Sequence, residues 1–174
     1  MNTDKLLELA FYTLPALITG GVAYYFFQMF VKNEEKKRHF LLMRENQKHS
    51  LPLRLQAYER LALYLERINP AKLLLRVAPL NEDKVAYQNL LIHHIEQEYD
   101  HNLAQQIYVT DDCWMMLLKA KNTIIQHIRK TTLDASVPDA DKLREKILSD
   151  LLQDEPASNV ALSFLKSEVS QVLG

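Results

Sequence analysis

The chain has 174 residues, 48% of them apolar and 25% charged, with a net charge of −1 when histidine is neutral. Three glycines and six prolines are too few for turn-dense β-sandwiches and barrels, and the charge balance gives no global attraction to nucleic acid. The single cysteine, Cys113, excludes an intrachain disulfide framework and any site built from several thiolates.

The mean hides a strongly uneven distribution. Residues 9–31 contain no charged side chain. At 1.5 Å per residue such a run exceeds the ~20 residues a helix needs to cross the hydrocarbon layer. Phe11 and Tyr12 lie near one end, and Tyr24, Tyr25, Phe26, Phe27 and Phe30 crowd the other, as aromatic rings do at the two interfaces. Pro15, Gly20 and Gly21 weaken a helix in water but are tolerated in lipid, where the backbone has no competing solvent. The run is too long for the core of a cleaved signal peptide, and no basic start precedes it. The reading is a transmembrane helix over 9–31 after a short extracytoplasmic N-terminus, 1–8. Lys32, Lys36, Lys37 and Arg38 follow the span and only Lys5 precedes it. The positive-inside rule therefore places the C-terminal part in the cytoplasm and the short N-terminus outside. Ala16 and Gly20 form a small-residue stripe on which another helix could pack closely.

Residues 32–50 read as a basic helical stalk that continues the span as far as Ser50-Leu51-Pro52. Residues 32–76 carry 11 Lys and Arg against 5 Asp and Glu, and residues 77–174 carry 9 against 15. The stalk face at Lys32, Lys36, Lys37 and Arg38 is thus either attracted to anionic headgroups or simply solvated. A helical domain is expected over 51–132. Its first helix, Leu53–Ile68, buries Leu55, Tyr58, Leu61, Ala62, Leu65 and Ile68 at 3–4 spacing. Asn69-Pro70 caps and opens a short helix, Ala71–Val77, and Pro79 follows it. Asn81 is the expected cap of a helix from Glu82 to His101, with Val85, Leu91, Ile92, Ile95 and Tyr99 inward. Asn102–Val109 has no periodicity; Ile107-Tyr108-Val109 has strand character, but three residues with no partner strand do not make a sheet. Thr110 should cap a helix that runs to about Thr132. Residues 133–138 read as a hinge, and 139–174 as a helical hairpin turning at Gln153–Glu155. Its inward residues are Leu143, Ile147, Leu148 and Leu151, then Val160, Ala161, Phe164, Leu165, Val169 and Val172. The fold class is all-α throughout.

Two features invite a chemical reading. Glu98 and His101 have the i, i+3 spacing of di-iron ligands, and His94 adds a third candidate. No second Glu-x-x-His exists, and the trio falls ~120° from the centre of its helix's apolar stripe, which suits a solvated polar face better than a metal core. Lys121 falls within the stripe of Trp114, Leu117, Leu118, Ile124, Ile125 and Ile128. Either its stem packs on Trp114 or Leu117 while the ammonium reaches water, or it forms a buried pair with a carboxylate. No glycine-rich phosphate loop exists, no local nucleophile motif places Ser or His, and no cofactor is implied.

Leu51-Pro-Leu-Arg-Leu-Gln-Ala-Tyr-Glu-Arg60, Leu65-Glu-Arg-Ile68, His101-Asn-Leu-Ala-Gln-Gln-Ile-Tyr-Val109, Trp114 and Lys121 together resemble an uncharacterised family of small single-span inner-membrane proteins from Bacteroidota. The similarity covers residues 1 to about 132. It implies a cytoplasmic-membrane location and a helical soluble part, and no reaction. The expected function is that of a non-catalytic scaffold or accessory subunit of a membrane complex, acting on a protein partner or as a homo-oligomer. Arg60, Arg67, Gln105, Gln106 and Tyr108 are the expected partner surface, beside Ala16 and Gly20. The alternative is a metal-binding or enzymatic domain centred on His94, Glu98 and His101.

Overall fold

A computed structural model describes the backbone of residues 3–173, and the side chains of residues 11–173 apart from Ala16, Asn46, Gln47 and His49. It is all-helical, with no strand among the described residues. The elements are α1 (Thr3–Ile68), α2 (Pro70–Arg76), α3 (Lys84–Asn102), a 3₁₀ segment (Leu103–Tyr108), α4 (Asp111–Thr132), α5 (Ala140–Asp150) and α6 (Ala157–Leu173). The chain divides into two compact units, Met1–Ser50 and Leu51–Gly174.

The first unit is helical over its described length, and its described side chains are exposed. Phe11, Tyr24, Phe27 and Phe30 are each more than 60% exposed, in a stretch that carries no charge to solvate it. Among the described helices, α1 alone is long and apolar enough to cross a membrane. Its best 18-residue stretch has a mean hydropathy of 1.4 and none of it is buried. A Cβ added at Gly20 or Gly21 would meet nothing within 4 Å, so no described residue requires either glycine for close packing. The Ala16 side chain lies outside the described residues.

The second unit is built on one core. Leu61, Leu65 and Ile68 from α1 meet Leu73 and Leu74 of α2, Tyr87, Leu91 and Ile95 of α3, and Leu117, Ile124 and Ile128 of α4; Leu143 and Ile147 of α5 and Ala161 and Leu165 of α6 complete it. Removing so many large side chains from water is the main stabilising term, about 1.5–3 kcal/mol for each fully buried one. The helix starts are locally encoded. The Asn69 side chain accepts from the Ala71 N–H with Pro70 in the first turn, Thr110 Oγ1 accepts from Cys113 N at 3.2 Å, and Asp139 accepts from Lys142 N at 2.8 Å. Each satisfies an N–H that the first turn leaves without an intrahelical partner.

Several expectations are corrected. α1 is not interrupted at Pro52: the missing N–H and the carbonyl four residues earlier both lie on an exposed stretch, where water replaces the lost hydrogen bond. α3 starts at Lys84, because Asp83 takes the cap from Val85 N at 2.8 Å while Asn81 instead accepts from Asp83 N. Val85 and Val160 are 50% and 46% exposed, each on the rim of its helix's buried stripe. Asn102–Val109, which showed no periodicity, contains the 3₁₀ segment, and that segment buries none of its residues. Residues 133–138 do not separate two bodies. Val137 is buried, its carbonyl accepts from Lys84 Nζ at 2.6 Å, and Ala140 N donates to Glu82 O at 3.0 Å. Nor do α5 and α6 pack chiefly on each other; α6 lies along α4, whereas α5 touches α2, α3 and α4.

Candidate functional site

The densest polar arrangement in the second unit centres on Glu168 of α6, which is buried. Its carboxylate accepts from Tyr58 Oη of α1 at 2.5 Å, from Thr110 Oγ1 at 2.9 Å and from Thr110 N at 3.3 Å. Arg54 extends the network, donating from Nη2 to Tyr58 Oη and from Nε to the Tyr108 carbonyl, each at 3.2 Å. One side chain thereby ties α6 to α1 and to the N-terminus of α4. Burial pushes the Glu168 carboxyl up, but hydrogen bonds from Tyr58, Thr110 and Cys113 outweigh it and hold the group below its ordinary value. The same burial, with the Glu168 hydrogen bond and charge, raises Tyr58 to about 12. Cys113 is likewise pushed up to about 12, mainly by burial, so its thiol stays protonated and unreactive near neutral pH. The arrangement is a charge-assisted clasp. The donors that reach the Glu168 carboxylate, Tyr58 and Thr110, belong to the protein itself.

A second cluster surrounds Lys121. The side chain is buried, and Nζ lies 2.7 Å from Glu96 Oε2 and 4.2 Å from the centre of the Tyr99 ring. The ring of Trp114 stands 5.7 Å from that of Tyr99. Lys121 is therefore both paired and faced by an aromatic ring, which offsets part of the cost of removing an ammonium from water. Tyr64 Oη, buried beside it, makes no hydrogen bond, and burial near Glu96, Tyr99 and Glu98 raises its pKa.

The histidine–glutamate trio does not converge. Glu98 accepts from Arg67 Nε at 2.6 Å and lies 3.7 Å from Arg76, so two guanidinium groups occupy its carboxylate. His94 is half-buried and His101 exposed. Among the described residues, no three His, Cys, Asp or Glu side chains are grouped so as to hold a metal ion. Of the expected partner surface, Arg60, Arg67 and Gln106 are exposed, and Gln105 and Tyr108 are half-buried. An apolar recess of about 170 Å³ opens between α4 and the α5–α6 connection, with His127 and Asp150 on its wall. His127 Nε2 lies 3.4 Å from Asp150 Oδ2 without a hydrogen bond, and Lys146 Nζ shares the same carboxylate at 3.1 Å.

Glu168 was missed in the sequence although its signal was present. Ala161, Leu165, Glu168 and Val172 recur at the spacing of a buried stripe, the same pattern that singled out Lys121.

The profile of a family of unknown function, DUF7935, matches residues 4–172, and the match therefore extends through α6, beyond the similarity expected to end near residue 132. No curated protein and no solved structure matches the chain.

Proposed function

The chain belongs to the DUF7935 family of unknown function, and from that premise we propose a non-catalytic, membrane-anchored protein whose helical second unit serves as a scaffold or accessory subunit. The observation that carries this reading is the uncharged stretch of residues 9–31, whose described side chains stand exposed. In this reading the span is followed by the basic stalk at Lys32, Lys36, Lys37 and Arg38. The N-terminus is outside, and the second unit is in the cytoplasm of a bacterial inner membrane. The second unit supports a binding role more than a chemical one, because its buried carboxylate and its buried lysine are both spent on internal partners.

The test is a tagged purification of the full chain from native membranes in mild detergent, with the mass and composition of the particle measured. A protein recovered with the membranes after alkaline washing, and eluted with a partner at fixed stoichiometry, is the expected result. A chain released by alkaline washing removes the anchor. Elution without a partner or a second copy removes the scaffold role.

A further inference from the structure

The outward face of α4 is grooved. A shallow groove of about 700 Å³ runs along it from Asp112 to Gln126, with Met115 and Met116 towards its N-terminal end and Phe164 of α6 on its side. Met115 is 62% exposed. Methionine is an adaptable apolar side chain often used where surfaces meet. Asp112 and Lys119 bracket the two methionines, both exposed, and neither joins an ion pair with another described residue.

Their spacing carries the argument. Asp112 and Lys119 are two turns apart and on one face, so a twofold axis perpendicular to α4 between Met115 and Met116 lies midway between them. Each charge is then ~5 Å along the helix from the axis. An antiparallel second copy would set its Lys119 at the level of Asp112, and its Asp112 at the level of Lys119, with the methionines meeting at the centre. We infer that this face of α4 docks a second copy of the same chain, antiparallel and about a twofold axis, through Met115 and Met116 with two reciprocal Asp112–Lys119 pairs. Such an isologous contact uses one patch twice and closes on itself as a dimer. About ten residues of α4 from each copy fall below the ~20–30 residues a side of a stable specific interface, so the association is a weak and transient one.

The inference stands on the second unit alone and does not depend on the membrane reading. It is tested by cross-linking the full chain in cells with a short, membrane-permeant bis-maleimide after Met115→Cys, which puts a thiol beside the axis. A covalent species of twice the chain mass is expected. Lys119→Asp should lower its yield on the order of tenfold by setting like charges opposite each other, and the exchange Asp112→Lys with Lys119→Asp should restore it. The buried Cys113 of the unmodified chain gives the background, and circular dichroism of each variant checks that α4 remains folded. Four results each overturn the proposal: no species of twice the mass, a heavier adduct with another protein in its place, a yield indifferent to the charge changes with folding intact, or an equal yield from Leu63→Cys on α1. If the charge-exchanged chain fails to fold, Lys119→Asp and Lys119→Gln decide: loss graded with charge supports the contact, and equal yields overturn it.

Discussion

Glu168 has a carboxylate held below its ordinary value of 4.5 by donors from α1 and the start of α4. A depressed folded pKa means that stability is fully present above the unfolded value and is lost as pH falls through the folded one. Glu168→Gln should therefore cost about 1–3 kcal/mol at neutral pH. That cost should shrink as the wild type is acidified below 4.5. Urea unfolding of the full chain in detergent, followed by circular dichroism across that range, measures it; a cost independent of pH would deny the carboxylate its charged role. Lys121 behaves differently, because its partner Glu96 keeps 44% of its side chain in water. Solvent screening limits the pair, so a double-mutant cycle of Lys121→Met and Glu96→Gln should return a coupling of about 1 kcal/mol or less. A coupling of several kcal/mol would mean that the pair is effectively cut off from water.

At the scale of elements, α6 is held along α4 by an apolar stripe and locked to α1 by Glu168. Leu165 is buried in that seam, whereas Val160, assigned inward from periodicity, is 46% exposed. Leu165→Ala should cost about 2–5 kcal/mol and Val160→Ala less than about 0.5, read by the same unfolding curves. Cys113 reports the seam directly. Its thiol is buried and protonated, so maleimide labelling should proceed only through opening of the seam and should accelerate in Glu168→Gln. Rapid labelling of the wild type, at the rate of the unfolded chain, would contradict this packing. The helix boundaries were largely legible because caps are local: Asn69, Thr110 and Asp139 each bond a backbone N–H within three residues. Where two cap candidates stood close together, as at Asn81 and Asp83, propensity alone did not choose between them.

For the whole molecule, the two units pose different physical problems. The second gathers large apolar side chains from all of its α-helices into one core, and the first leaves its described ones exposed. If the uncharged stretch lies in lipid, introducing a charge at its centre should be costly, ~3 kcal/mol on insertion scales. Gly20→Arg should thus shift the full chain from the membrane to the soluble or degraded fraction, followed by fractionation and immunoblotting. Unchanged recovery would argue against a span.

Some of this protein was determined by the sequence alone, because the relevant physics is short-ranged. An all-helical chain, an uncharged helix of membrane-spanning length, the faces of most helices and the oddity of Lys121 all follow from composition, caps and a 3.6-residue period. Tertiary structure decided which buried face meets which. Periodicity shows that a stripe is hidden but not what hides it, so an α5–α6 hairpin was the natural expectation, and packing instead set α6 along α4. It also decided the partners of the two polar groups within stripes. Glu168 finds Tyr58 from 110 residues away and Thr110 from 58, and Lys121 finds Glu96 from 25. A charge inside an apolar stripe announces that it needs a partner. Which partner it receives depends on the distances at which the packed helices finally stand.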